Sequence, residues 1–119
     1  MTTELLLITF LLVKHFIADF PLQPPYCYKN KGTYGHKGGL LHAWTHFLGT
    51  YLCFVFYSKY AVICALVDGI AHYHIDWAKV KINKKMGWGP TTHEQFWWLM
   101  GFDQLLHALT YVILTGAVI

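Results

Sequence analysis

Residues 60–79 read YAVICALVDGIAHYHIDWAK, and this stretch decides how the rest of the chain is understood. It opens as an apolar run of the kind that begins a buried or membrane-spanning helix. It then places Asp68, His72 and Asp76 four residues apart, on one helix face and one turn from each other. A carboxylate in a membrane helix costs at least ~2.5–3.5 kcal/mol on insertion scales, so such a stripe calls for partners.

Three other apolar segments supply them. The segments lie at roughly Thr3–Phe20, Gly39–Tyr57 and Glu94–Ile119, with Tyr60–Val80 as the third of four in chain order. Each repeats the spacing: His15 with Asp19, His42 with His46, Asp103 with His107. A lone histidine on an apolar helix is more often a hydrogen-bonded core residue than a ligand. Four matched stripes are harder to explain as separate accidents. Converging in a bundle core, they are expected to form a metal centre.

Composition fits a lipid-facing exterior. The chain has 119 residues, 55% hydrophobic, 18% aromatic and 13% charged, against about 25% charged in ordinary soluble domains. Mean hydropathy is +0.37. The expected fold is therefore all-α: a polytopic membrane protein, one domain over residues 1–119, built as a four-transmembrane-helix bundle with a polar metal-binding core. A span needs ~20 mostly apolar residues. The second and fourth segments meet that, and the first and third do so if their polar residues face protein. Lys14, His15 and Asp19 interrupt the N-terminal segment, which lacks a basic start and a small-residue cleavage site. It is expected to be a retained helix.

Lysine placement orients the bundle. Lys29, Lys31, Lys37, Lys79, Lys81, Lys84 and Lys85 fall in or beside the loops after the first and third segments, and only Lys59 lies on the other side. The positive-inside rule then places the long loops in the cytoplasm and both termini outside, in a bacterial inner (plasma) membrane. Rise per residue puts most stripe residues within roughly 6–19 Å of the lysine-bearing side. The net charge of +3 is carried by Lys without Arg, which gives nucleic-acid binding little support. Cys27, Cys53 and Cys64 form no CxxC pair and imply no disulfide framework.

The first choice of metal ligands is His42, His46, Asp68, His72, Asp103 and His107, with His15 as a further metal ligand. Asp19 and Asp76 are the carboxylates expected to act in catalysis, though either could ligate or orient a ligand instead. The donors suit one or two divalent ions: zinc first, then manganese or iron. Gln104 is placed to hydrogen-bond a ligand, and Lys79 to pair with Asp76 or hold an anionic substrate. His74, well round the helix from His72, is expected at the membrane interface. The loops are Pro21–Lys37 and Lys81–Thr92, and Thr91 with Glu94 fits a capping box at the start of the last helix.

HFIADFPLQ at 15–23, HAWTH at 42–46, DGIAHYHIDWAK at 68–79 and DQLLH at 103–107 resemble, in order and over nearly the whole chain, a family of small bacterial and phage membrane proteins known as domain of unknown function 3307. The pattern is more loosely similar to inner-membrane metal-dependent hydrolases of the LexA-regulated type. That resemblance implies a membrane-embedded metal-dependent hydrolase, acting from the cytoplasmic side on a lipid or lipid-linked phosphate. The bilayer would be its main partner and a homodimer an allowed assembly. The alternatives are a metal-stabilised regulatory or phage interaction protein and a metal or proton transporter. A di-iron oxidase lacks its Glu-x-x-His signature here.

Overall fold

Five helices account for the chain in the computed structural model, which describes residues 1–119: α1 (Thr3–Asp19), α2 (Pro25–Tyr28), α3 (Lys37–Phe54), α4 (Ala61–Met86) and α5 (Glu94–Val118). The Thr2 hydroxyl caps α1 by accepting from the Leu5 amide at 3.2 Å, and Glu4 faces the positive end of the dipole. Helix α4 runs beyond the expected end at Val80 to Met86. It stops at Gly87, whose φ of 69° is the left-handed C-cap conformation that glycine adopts without penalty. Helix α5 begins at Glu94 as expected, but the Thr91–Glu94 capping box does not form. The N-cap is His93, whose Nδ1 instead accepts from the Gly89 amide at 3.2 Å.

The four long helices close a ring, with α3 packed on α1 and α4, and α5 on α4 and α1. The segment expected to be loop between α1 and α3 contains α2, which docks on the first turn of α3. Two glycines permit this. Gly38 lies against the Tyr26 carbonyl, and a Cβ on Gly39 would stand 3.2 Å from the Lys31 Cα.

The interior divides into two zones. At the end formed by the α1 N-terminus and the α3–α4 turn, Leu7, Leu11, Phe54, Cys64, Tyr111 and Leu114 form an apolar cluster. Towards the other end histidines, aspartates and one lysine dominate the buried side chains, with Ala18, Cys27, Thr50 and Tyr73 among them. As many buried positions are polar or charged as are apolar. Large apolar side chains such as Leu52, Ile63, Trp98 and Ile113 are exposed on the outside.

No helix is long and apolar enough to cross a membrane. With 17 and 18 residues, α1 and α3 are at the short limit of a span, and Lys14, His15 and Asp19 interrupt the one while Lys37, His42 and His46 interrupt the other. Helices α4 and α5 have the length, at 26 and 25 residues. However, Asp68, Asp76 and the lysines from Lys79 onward interrupt α4, and Asp103 interrupts α5. The residues that build the polar core are the ones that cut the apolar runs. This overturns the expected transmembrane bundle. The multi-pass inner-membrane location, with cytoplasmic loops and outward termini, falls with it. The helical character of the chain stands.

Candidate metal centre

Helix periodicity delivers one polar stripe per long helix, and the ring turns all four stripes inward. The Oδ1 atom of Asp19 (α1) faces three imidazole Nε2 atoms: His46 at 2.8 Å, His42 at 3.1 Å and His72 at 3.4 Å. Asp76 (α4) forms a second focus. Its Oδ2 lies 3.1 Å from His72 Nε2 and 3.3 Å from His42 Nε2, and its Oδ1 lies 3.2 Å from His107 Nε2. Two donor groups result, Asp19–His42–His46–His72 and His72–Asp76–His107. The ligand atoms of each lie within 4.8 Å of one another. Either group could hold a metal ion.

The groups share His72, whose Nε2 has a single lone pair, so only one ion at a time can use it. Asp76 has two oxygens and can face both positions. The Nδ1 atoms of His42 and His72 are buried without a hydrogen-bond partner. Nε2 is therefore the only polar outlet of either ring, and both outlets point into the cluster.

A surrounding layer orients these groups. His15 Nε2 lies 3.1 Å from Asp19 Oδ2, and its Nδ1 lies 2.8 Å from the Tyr111 hydroxyl. Gln104 bridges His15 and Asp103, at 2.9 and 3.0 Å. Asp103 Oδ1 is 3.3 Å from His107 Nε2. Behind His46, the Lys14 ammonium lies 3.0 Å from its Nδ1 and donates to Asp68 at 2.9 Å and to the Tyr111 hydroxyl at 3.0 Å. The Thr50 hydroxyl also donates to Asp68.

The structure thus gathers His42, His46, His72, His107, Asp19 and Asp76 in the two donor groups. His15 and Asp103 adjoin them, and Asp68 lies outside both, paired with Lys14. Lys79 meets Asp103 at 3.1 Å and Asp76 at 3.8 Å. His74 is exposed and bonds to the Tyr34 hydroxyl. Sequence reasoning passed over Lys14 as an interruption of an apolar run, and over Tyr111 and Thr50 altogether. The available signal was a lysine in mid-segment, which must find an acid when buried.

The charges interlock. Burial alone would raise the Asp19 carboxyl, yet hydrogen bonds from His42, His46 and His72 hold it far below the usual range. Burial likewise works against the Asp76 carboxylate, and the neighbouring His72, His107 and His42 hold it low. Burial and the proximity of His72 push His46 down, favouring a neutral ring. His107 goes the other way. Burial disfavours its charge, but bonds to Asp103 and Asp76 outweigh it and lift the ring to about 9.

That last shift has a measurable sign. Metal ligation requires a neutral imidazole, so below pH about 9 an ion entering the Asp76–His107 position must displace a proton. Apparent zinc affinity there should rise about tenfold per pH unit up to pH about 9 and level off above it. Competition titrations across this range, with proton release followed in weak buffer, provide the check. A flat profile below pH 9 would show that His107 carries no proton in the metal-free protein.

A family model described as "Protein of unknown function (DUF3307)" matches residues 6–119. No curated protein matches the chain, nor does any solved structure, so the looser likeness to hydrolases gains no support from these comparisons. The matched span contains every side chain of both donor groups. With all but its first five residues covered, the chain belongs to the DUF3307 family of proteins of unknown function.

Proposed function

We propose that this protein is a metal-dependent hydrolase with zinc as the preferred ion. The observation that carries the proposal is the pairing of a four-donor group with a three-donor group. Structural zinc sites are closed by four protein ligands, whereas catalytic sites keep a position open for water and substrate. Asp19, His42, His46 and His72 fit the first description. Asp76 and His107 fit the second, leaving positions for water and substrate once His72 is committed to the first. A divalent ion bound there would polarise a phosphoryl or carbonyl oxygen and bring the pKa of its water to near 7.

The chain's own residues supply the rest. Asp103 turns its buried Oδ1 towards His107 Nε2 at 3.3 Å, placed to take up the proton that leaves that ring, while its Oδ2 accepts from Lys79 and Gln104. His15 braces Asp19 through Oδ2, the oxygen that His42, His46 and His72 do not face. Lys14 locks the His46 ring from behind, so that its Nε2 keeps facing the cluster. Such outer partners typically matter 10–100-fold in metal affinity or activity.

Zinc-loaded protein should hydrolyse an activated ester, tested as an aryl phosphate beside an aryl acetate. His107→Ala and Asp76→Asn should each lower the rate at least about 100-fold while the four-donor group retains metal. Absence of turnover on both esters would overturn the hydrolase. It would favour a second reading, which the closed four-donor group supports by itself: a helical interaction protein in which the metal only stabilises the bundle.

A further inference from the structure

We propose that the cavity between the loop after α2, the C-terminal half of α4 and the start of α5 is a subsite for a phosphate group, placed beside the Asp76–His107 position. The proposal rests on the hydrolase reading for its neighbour and names the class of substrate. The cavity measures about 510 Å³ and is lined by Lys31, Lys79 and Lys84 with Asn83, against an apolar wall that includes Phe96 and Met100. Two of its lysines reach the centre itself: Lys31 Nζ lies 3.2 Å from Asp76 Oδ2, and Lys79 Nζ bridges Asp103 and Asp76 at 3.1 and 3.8 Å. Their side chains are only 11% and 14% exposed, so the ammonium groups form the floor between cavity and cluster.

Neutralising aspartates is the simplest task for these lysines, but Asp76 is already oversubscribed. Three imidazoles and two ammonium groups converge on its two oxygens. Once a divalent ion takes those oxygens, two buried ammonium groups stand beside a cation with too little negative charge between them. An anion entering from the cavity restores the balance.

Lys31 is poorly placed to swing away instead. Its backbone packs against α3 at Gly39, and the adjoining Gly32 sits against the Val80 side chain. A phosphate fits this floor better than a carboxylate does. It offers more free oxygens and a second charge to three point-charge donors that lack the planar fork of arginine.

Calorimetric titration of the zinc-loaded protein with inorganic phosphate tests the assignment. Wild type should bind phosphate and discriminate against acetate. Lys31→Gln and Lys79→Gln should each weaken phosphate binding about tenfold with unchanged zinc content. Lys59→Gln, which removes the same charge at the opposite end of the bundle, should bind as wild type does. Glycerol phosphate and a short-chain alkyl phosphate, run in parallel, separate a small polar ester from one with an apolar tail. Only the second gains from Phe96 and Met100.

Lack of phosphate binding by the wild type would overturn the subsite. Equal acetate binding would do the same, as would a Lys31→Gln/Lys79→Gln double variant that binds like wild type. Elemental analysis of the same samples keeps the two ideas apart. A wild type without zinc removes the hydrolase, whereas phosphate binding indifferent to both lysines removes the subsite and leaves the metal centre standing.

Discussion

His72→Ala protein should lose metal more completely than any other single variant of the centre. His72 is the one side chain common to both donor groups, and its ring lies between two others, stacked on His46 at 3.4 Å and on His107 at 3.9 Å between centroids. Its removal leaves three donors in one group and two in the other, and opens a gap between the rings. Zinc affinity should fall by more than the 10–100-fold typical of losing an orienting partner. Elemental analysis of purified variant beside wild type measures this directly. Asp68→Asn, which alters a buried carboxylate outside both groups, should keep its metal. A His72→Ala protein with wild-type metal content would show that the donors act independently, and a metal-free wild type would remove the centre altogether.

Lys14→Met should be among the most destabilising single substitutions in the chain, with a loss of about 3–5 kcal/mol. The Lys14 and Asp68 side chains are 8% and 1% exposed, so neither has water to fall back on. Methionine keeps much of the lysine's length but strands the Asp68 carboxylate, which retains only the Thr50 hydroxyl. The cost comes from an uncompensated buried charge, not from lost packing, and that distinction can be tested. Lys14→Met combined with Asp68→Asn should recover most of the loss, because no charge is then left unpaired. Urea denaturation of wild type, the two single variants and the double variant closes the cycle. If the double variant loses the sum of the two single effects, the ion pair is not the source of the stability. Lys14→Met should also loosen zinc, since Lys14 holds His46 from behind.

Much of the site was legible because helix geometry is local. The four-residue spacing of His15–Asp19, His42–His46, Asp68–His72–Asp76 and Asp103–His107 is enough to put each set on one face. The packing of the four long helices in a ring then brings those faces together. Rotation within the bundle was not legible. Asp68 and Asp76 share a stripe with His72, two turns apart, and the sequence offers no means of telling which one meets the histidines of α3. The structure places Asp76 there and sends Asp68 to Lys14.

The membrane expectation failed for a related reason. Composition counts apolar residues but not whether they are contiguous. In α4 and α5 the apolar stretches are broken by the residues that the interior requires. The chain element α2, four residues long, left no periodic trace in a segment rich in proline and glycine.

The polar interior carries a consequence for how such a sequence can vary. In an oil-like core a position asks mainly for volume, and many apolar residues satisfy it. Here Lys14, His46, Thr50, Asp68 and Tyr111 are joined by direction: each must present a donor or an acceptor along one line to a neighbour that cannot move aside. Change at one of these positions is tolerated only in step with another. Substitutions should therefore accumulate freely on the outward faces of the helices and arrive inside as compensated pairs. The fold's memory is held in an alphabet of hydrogen bonds more than in one of sizes.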